Sequence, residues 1–154
     1  MQEWGMTPES LKFKEGQDEK NTTSMRNYMK KWFEEIKKHP LYVDKLEKCT
    51  HSTFLVKYSN VRPLYLFKPL PNFENVQVYC HVPEVLTRSP DKRAAIVYAH
   101  GGGCVVGRAE EYQPFTAALA VESECVVFSV EYRLAPETKC PDNVMDFYEA
   151  LKVI

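Results

Sequence analysis

Residues 93–136 read RAAIVYAHGGGCVVGRAEEYQPFTAALAVESECVVFSVEYRLAP, and this stretch decides the fold. The apolar run 94–99 leads directly into His100-Gly101-Gly102-Gly103, and a second apolar run, 126–130, follows after an interval of helical length. Two buried strands joined by a helical crossover predict a βαβ unit, and with it a parallel sheet covered on both faces. Three glycines in a row stand where the first strand ends. Lacking Cβ atoms, they can take φ > 0 and bring backbone N–H groups close to a ligand, at an entropic cost that a plain turn would seldom need three times over. Donors aimed at one point suit a developing negative charge.

The histidine directly before the glycines, at the mouth of a strand, sharpens that reading, because His-Gly-Gly-Gly in such a setting resembles the oxyanion-hole loop of lipases and esterases. A second block, Glu131-Tyr132-Arg133-Leu134-Ala135-Pro136-Glu137 followed by Pro141 and Asp146, resembles the Tyr-Arg-Leu-Ala-Pro-Glu…Pro…Asp segment of the same enzymes. Gly107 fits their second glycine. Two such blocks in this order and separation are far more specific than either alone, and over roughly residues 92–154 the chain resembles the hormone-sensitive-lipase and arylacetamide deacetylase family of α/β hydrolases. Upstream the resemblance is loose.

The resemblance implies an α/β fold, a doubly wound and mostly parallel sheet with an N-terminal cap helix. It implies a serine carboxylesterase or lipase-like hydrolase acting on a small-molecule or lipid ester, with no metal and no organic cofactor. The backbone N–H groups of Gly102 and Gly103 would bind the oxyanion, while His100 and Gly101 hold the loop in shape. Arg133 reads as a buried structural cation, and Glu137 and Asp146 as scaffold carboxylates rather than acid or base. Cys104 stands where the family usually has a bulky aromatic, so it is a candidate substrate contact in a roomier acyl pocket.

In the family, Gly-x-Ser-x-Gly lies on the next strand, with the acid and the histidine later still. None of Ser10, Ser24, Ser52, Ser59, Ser89, Ser123 and Ser129 is flanked by the two glycines. The chain is therefore expected to hold the oxyanion half of a site, to be truncated before the nucleophile strand, and to be inactive without a C-terminal portion that supplies nucleophile, acid and base. The alternative is a non-catalytic truncated paralogue that binds a partner or a small acyl ligand. A phosphate-cradling loop is disfavoured, since the lysine and Ser/Thr of a P-loop are missing.

At 154 residues, 44% hydrophobic and 27% charged, the composition is that of a soluble globular chain, too short for the usual eight strands of this fold. A formal net charge of -1 provides no field for nucleic acid or an anionic membrane surface. Cys49, Cys80, Cys104, Cys125 and Cys140 show no zinc or CxxC spacing, and Cys80, Cys104 and Cys125 read as buried small hydrophobes. The odd count favours a reducing, cytoplasmic compartment. The sequon Asn21-Thr22-Thr23 and the endoplasmic-reticulum anchoring of arylacetamide deacetylase point the other way, although no apolar stretch reaches membrane length.

Taken in order, residues 1–23 read as a polar lead-in, 24–60 as an N-terminal cap or helical region, and 61–154 as an incomplete hydrolase core with the oxyanion loop at 100–103. A helix is predicted from a cap at Thr22, Thr23 or Ser24 to a stop at Pro40, with Met25, Tyr28, Met29, Trp32, Phe33 and Ile36 on its apolar stripe and Arg26 on its polar face. Strands are expected at 53–58, 62–67 and 75–82, with turns at Pro69, Pro71 and 87–93. His39, His51 and His81 read as ordinary surface or half-buried side chains. The crossover helix is placed at 110–121 with Tyr112, Phe115, Leu119 and their alanine neighbours inward, and a last helix at 141–154 with Val144, Phe147, Tyr148, Leu151 and Ile154 as its stripe.

Overall fold

A computed structural model describes residues 18–58, 75–87 and 94–154 of the chain. Among the described residues, five helices and four strands follow one another as α1 (Asp18–Ile36), α2 (Pro40–Glu47), β1 (Cys49–Lys57), β2 (Asn75–Pro83), α3 (Glu84–Thr87), β3 (Ala95–Ala99), α4 (Gln113–Ser123), β4 (Val126–Glu131) and α5 (Asp142–Val153). The sheet order is β1-β2-β4-β3. The βαβ unit forms as the two apolar runs require: β3 and β4 are parallel, in register from Ala95↔Val126 to Ala99↔Val130, and α4 is the crossover. The β1–β2 and β2–β4 pairs are antiparallel.

Both faces of the sheet are covered. Val56, Val76, Val78 and Val130 make one layer with Ala150 of α5, flanked by Phe54, Val97, Phe128 and Phe147. Cys49 and Val127 make the other with Ala117 and Ala120 of α4, flanked by Leu46, Ile96 and Tyr98. Strand periodicity sorts the side chains: Val127 faces α4 while its neighbours Phe128 and Val130 face the α5 side. The expected alternation in β2 holds for Val76 and Val78, but Tyr79 and His81 on the opposite face are buried too, because α4 covers them.

Several sequence expectations need correction. The first helix starts at Asp18, before its expected cap, and Thr22 is buried within it. Pro40 does not merely end a helix; it opens α2, whose N-cap is His39, with the ring accepting the Leu41 N–H. On α4 the expected alanines are inward, Ala117 and Ala120 being buried beside Pro114 and Thr116 with Leu119 packed against them, but Phe115 is exposed: the small side chains allow close approach to the sheet, which a phenyl ring would prevent. On α5 Phe147 packs on the core as expected, but the fully buried residues are Asp146, Glu149 and Ala150, whereas Val144, Tyr148, Leu151 and Ile154 are exposed. Cys104 is exposed rather than buried, and all five cysteines are free thiols. The runs at 62–67 and around Pro69 and Pro71, and most of the turn at 87–93, lie outside the described residues.

Candidate active-site loop

The loop that leaves β3 is fixed from below by His100. Its ring is 3% exposed and stacks on Tyr132 at 4.2 Å and 10°. Nδ1 lies 2.9 Å from the Gly101 carbonyl, an acceptor, so the proton resides on Nδ1. Burial lowers the imidazole pKa and favours this neutral form. The Tyr132 hydroxyl donates back to the His100 carbonyl at 2.5 Å, which ties the start of the Gly loop to the start of the Tyr-Arg-Leu-Ala-Pro segment. Burial raises that phenol to about 12, so it remains a donor.

Above this base the backbone turns through Gly102 (φ 122), Gly103 (φ 62) and Cys104 (φ 60), while the Gly102 carbonyl accepts from Val105 N–H at 3.1 Å and Val106 N–H at 3.0 Å. The glycines are not equivalent. A Cβ on Gly102 would stand 1.9 Å from the Val106 carbonyl oxygen, and one on Gly107 (φ 87) would stand 2.6 Å from the Gly101 oxygen; a Cβ on Gly103 meets nothing. Backbone chemistry therefore demands glycine at 102 and 107, and only the positive φ favours it at 103. Among the described residues no acceptor meets the N–H of Gly102 or Gly103.

The second block closes around the first. The Ala135 N–H donates to the Cys104 carbonyl at 2.8 Å. Arg133 turns the other way, into a buried network: its Nε is 2.8 Å from Asp146 Oδ2 and its Nη2 is 2.7 Å from Asp146 Oδ1, and its own N–H donates to Oδ2 at 2.8 Å. The Tyr58 hydroxyl donates to Asp146 and accepts from Arg133 Nη2. The Asp146 carboxyl is inaccessible to solvent and engaged by guanidinium, amide and phenol together, an arrangement that ties α5 to the sheet, and burial raises its pKa to about 7 against the lowering effect of the Arg133 N–H.

Arg26 of α1 was missed by sequence reasoning, which placed it on the polar face of its helix. It bonds to the Val105 and Ala135 carbonyls and to Glu137, a partner 111 residues away, so no local pattern could have revealed it. Beside it, a cavity of about 400 Å³ lies between α1 and the loop, lined by Arg26, Lys30, Gly107, Arg108, Glu131 and Tyr132. Among the described residues, no group of three or more His, Cys, Asp or Glu side chains could hold a metal ion, and no helix is long and apolar enough to cross a membrane.

A mixed sheet with one parallel βαβ unit, covered on both faces and bearing a glycine loop at the carboxyl end of β3, is the architecture of an α/β hydrolase, of which these residues form a part. Residues 96–154 match the family described as alpha/beta hydrolase fold. The chain is related to the carboxylesterases and arylacetamide deacetylase of that fold: it is 44% identical over 80 residues to probable carboxylesterase 6 of Arabidopsis thaliana, and 40% identical over 82 residues to arylacetamide deacetylase of Oryctolagus cuniculus. These alignments cover 50% and 52% of this chain but only 24% and 20% of the two relatives. Among solved structures, the Pyrobaculum calidifontis esterase superposes with a TM-score of 0.64 at 26% identity over 93% of this chain and 39% of its own.

Proposed function

We propose that this chain supplies the oxyanion-hole half of a serine carboxylesterase site, with Gly102 and Gly103 as the donors. The observation that carries the reading is the pair of N–H groups at 102 and 103, free of any acceptor among the described residues, on a loop fixed by His100 and Tyr132. When a serine oxygen adds to an ester carbonyl, the C=O π pair moves to the carbonyl oxygen and leaves it anionic. Two preorganised amide dipoles directed at that oxygen would stabilise it without reorganisation, and more than the neutral carbonyl of the ground state. His100 is no base here: its Nδ1 is committed to Gly101, and its ring is buried.

In this reading the nucleophile, acid and base would have to be supplied from outside these residues, since no serine here stands in Gly-x-Ser-x-Gly. The chain alone is expected not to turn over p-nitrophenyl acetate above a denatured control, and not to react with a fluorophosphonate probe. The deciding test is a hybrid in which residues 96–154 replace the matching segment of the Pyrobaculum calidifontis esterase. The hybrid should hydrolyse p-nitrophenyl butyrate. A folded hybrid without activity, or a labelled serine in the chain alone, would overturn the reading.

A further inference from the structure

We propose that Arg26 is a positioning residue through which the N-terminal helix α1 holds the oxyanion loop in its donor-presenting shape; this rests on the reading of Gly102 and Gly103 as oxyanion donors. Its guanidinium makes four contacts to three acceptor groups on two loops. Nε donates to the Val105 carbonyl at 2.8 Å, and Nη2 to the Ala135 carbonyl at 2.8 Å and to Glu137 Oε2 at 2.8 Å. Nη1 donates to Glu137 Oε1 at 2.6 Å. The planar fork thus binds one carboxylate bidentately and still reaches two backbone oxygens, a pattern that lysine cannot reproduce.

These bonds complete a ring. Val105 donates to the Gly102 carbonyl and accepts from Arg26; Arg26 donates to Ala135; Ala135 donates to the Cys104 carbonyl. The segment from Gly102 to Val105 is enclosed by that ring, and within it the non-glycine Cys104, at φ 60, has an unfavourable backbone conformation that neighbouring contacts must hold. Two of those contacts end on α1, whose Phe33 also packs on Tyr112 at 4.6 Å, a residue whose hydroxyl would lie 3.1 Å from a Cβ at Gly101. The same helix therefore braces the loop at two points. Glu137 is drawn to about 2 chiefly by its hydrogen bond from Arg26, so the carboxylate half of the clamp stays charged at neutral pH.

The test is amide hydrogen exchange on the whole chain, read by mass spectrometry. Arg26→Ala should speed exchange at Val105, Val106 and Ala135 by about tenfold while strand β2 and helix α4 keep their protection, since local opening leaves the core intact. Millimolar guanidinium should restore much of the protection and an equal concentration of ammonium should not, a rescue that general destabilisation would not show. Arg26→Lys, which keeps charge and stem, should loosen the loop almost as much; Glu137→Gln should loosen it less, because both carbonyl contacts remain. If Arg26→Ala also opens the core, the lysine variant decides. Unchanged exchange in the lysine variant, or rescue by ammonium as good as by guanidinium, overturns the clamp. A loosened loop together with an unchanged kcat for Gly102→Ala in the esterase hybrid would instead remove the oxyanion reading, and with it the catalytic meaning of the clamp.

Discussion

Three glycines in a row invite one explanation, yet each residue of this loop faces a different constraint. Gly102 combines a φ of 122 with a carbonyl oxygen 1.9 Å from where its Cβ would be, so any side chain displaces the backbone. Gly103 has open space around it and the φ of 62 that Cys104, with a side chain, also adopts at 60. An L-residue there costs about 1–2 kcal/mol of backbone strain and no clash. In the esterase hybrid, Gly102→Ala is accordingly expected to lower kcat by about 10²-fold or more, the scale of losing one oxyanion donor, whereas Gly103→Ala should lower it less than tenfold. Steady-state kinetics with p-nitrophenyl butyrate separates the two. Equal losses would mean that crowding at the carbonyl, rather than backbone shape, sets the effect.

Elements are joined here by polar side chains as much as by apolar ones. His81 of β2 is 1% exposed and links His51 of β1 to Thr116 of α4. His51 Nε2 lies 2.8 Å from the Leu46 carbonyl and must carry the proton there, which makes its Nδ1 the acceptor for His81 Nδ1–H at 2.7 Å. His81 Nε2 then accepts from the Thr116 hydroxyl of α4 at 3.0 Å. Burial, reinforced by His51, lowers His81 from 6.5 to about 4. The folded pKa is depressed, so stability is complete above about 6.5 and is lost as pH falls toward 4, by about 3 kcal/mol if no other group intervened. Urea denaturation at pH 7 and pH 4.5 should show this loss, and His81→Gln should flatten it while costing stability at both. The rotation of α5 has the same origin. Residues 144, 148 and 151 carry an apolar period that the sequence displays plainly, but Arg133 draws Asp146 inward and turns that stripe to solvent. Hydrophobic periodicity could place the strands β3 and β4 and the crossover between them, because each keeps an unbroken apolar run, although only β4 is largely buried and β3, expected to be buried, is half-buried with exposed ends. It places the alanines and Leu119 of α4 and Phe147 of α5 inward, but it could not foresee that Phe115, Val144, Tyr148 and Leu151 face solvent, nor the role of Arg26, whose partners are distant in sequence.

At the scale of the molecule, the sheet is finished on its faces and open along a side. Among the described residues β3 pairs only with β4, so the peptide groups on its other side have no strand partner. The strand reads AIVYA, without charge or proline, the features that natural edges use to discourage further pairing. Exposed Val144, Tyr148 and Leu151 on α5 add apolar surface elsewhere on the same body. The solved esterase that it resembles is more than twice as long, as the 39% coverage implies, so an edge like this one has further structure available to meet it in such a protein. In the chain by itself the open edge should act as a template for another copy. Sedimentation velocity at rising concentration is expected to show self-association, accompanied by binding of a hydrophobic dye. Ala95→Lys places a charge at an exposed position of the edge strand, away from the glycine loop, and should shift the distribution toward monomer without altering the far-UV circular dichroism. A chain that stays monomeric at high concentration, or associates equally well with lysine at 95, would show that the edge is already shielded and that the association surface, if any, lies on α5.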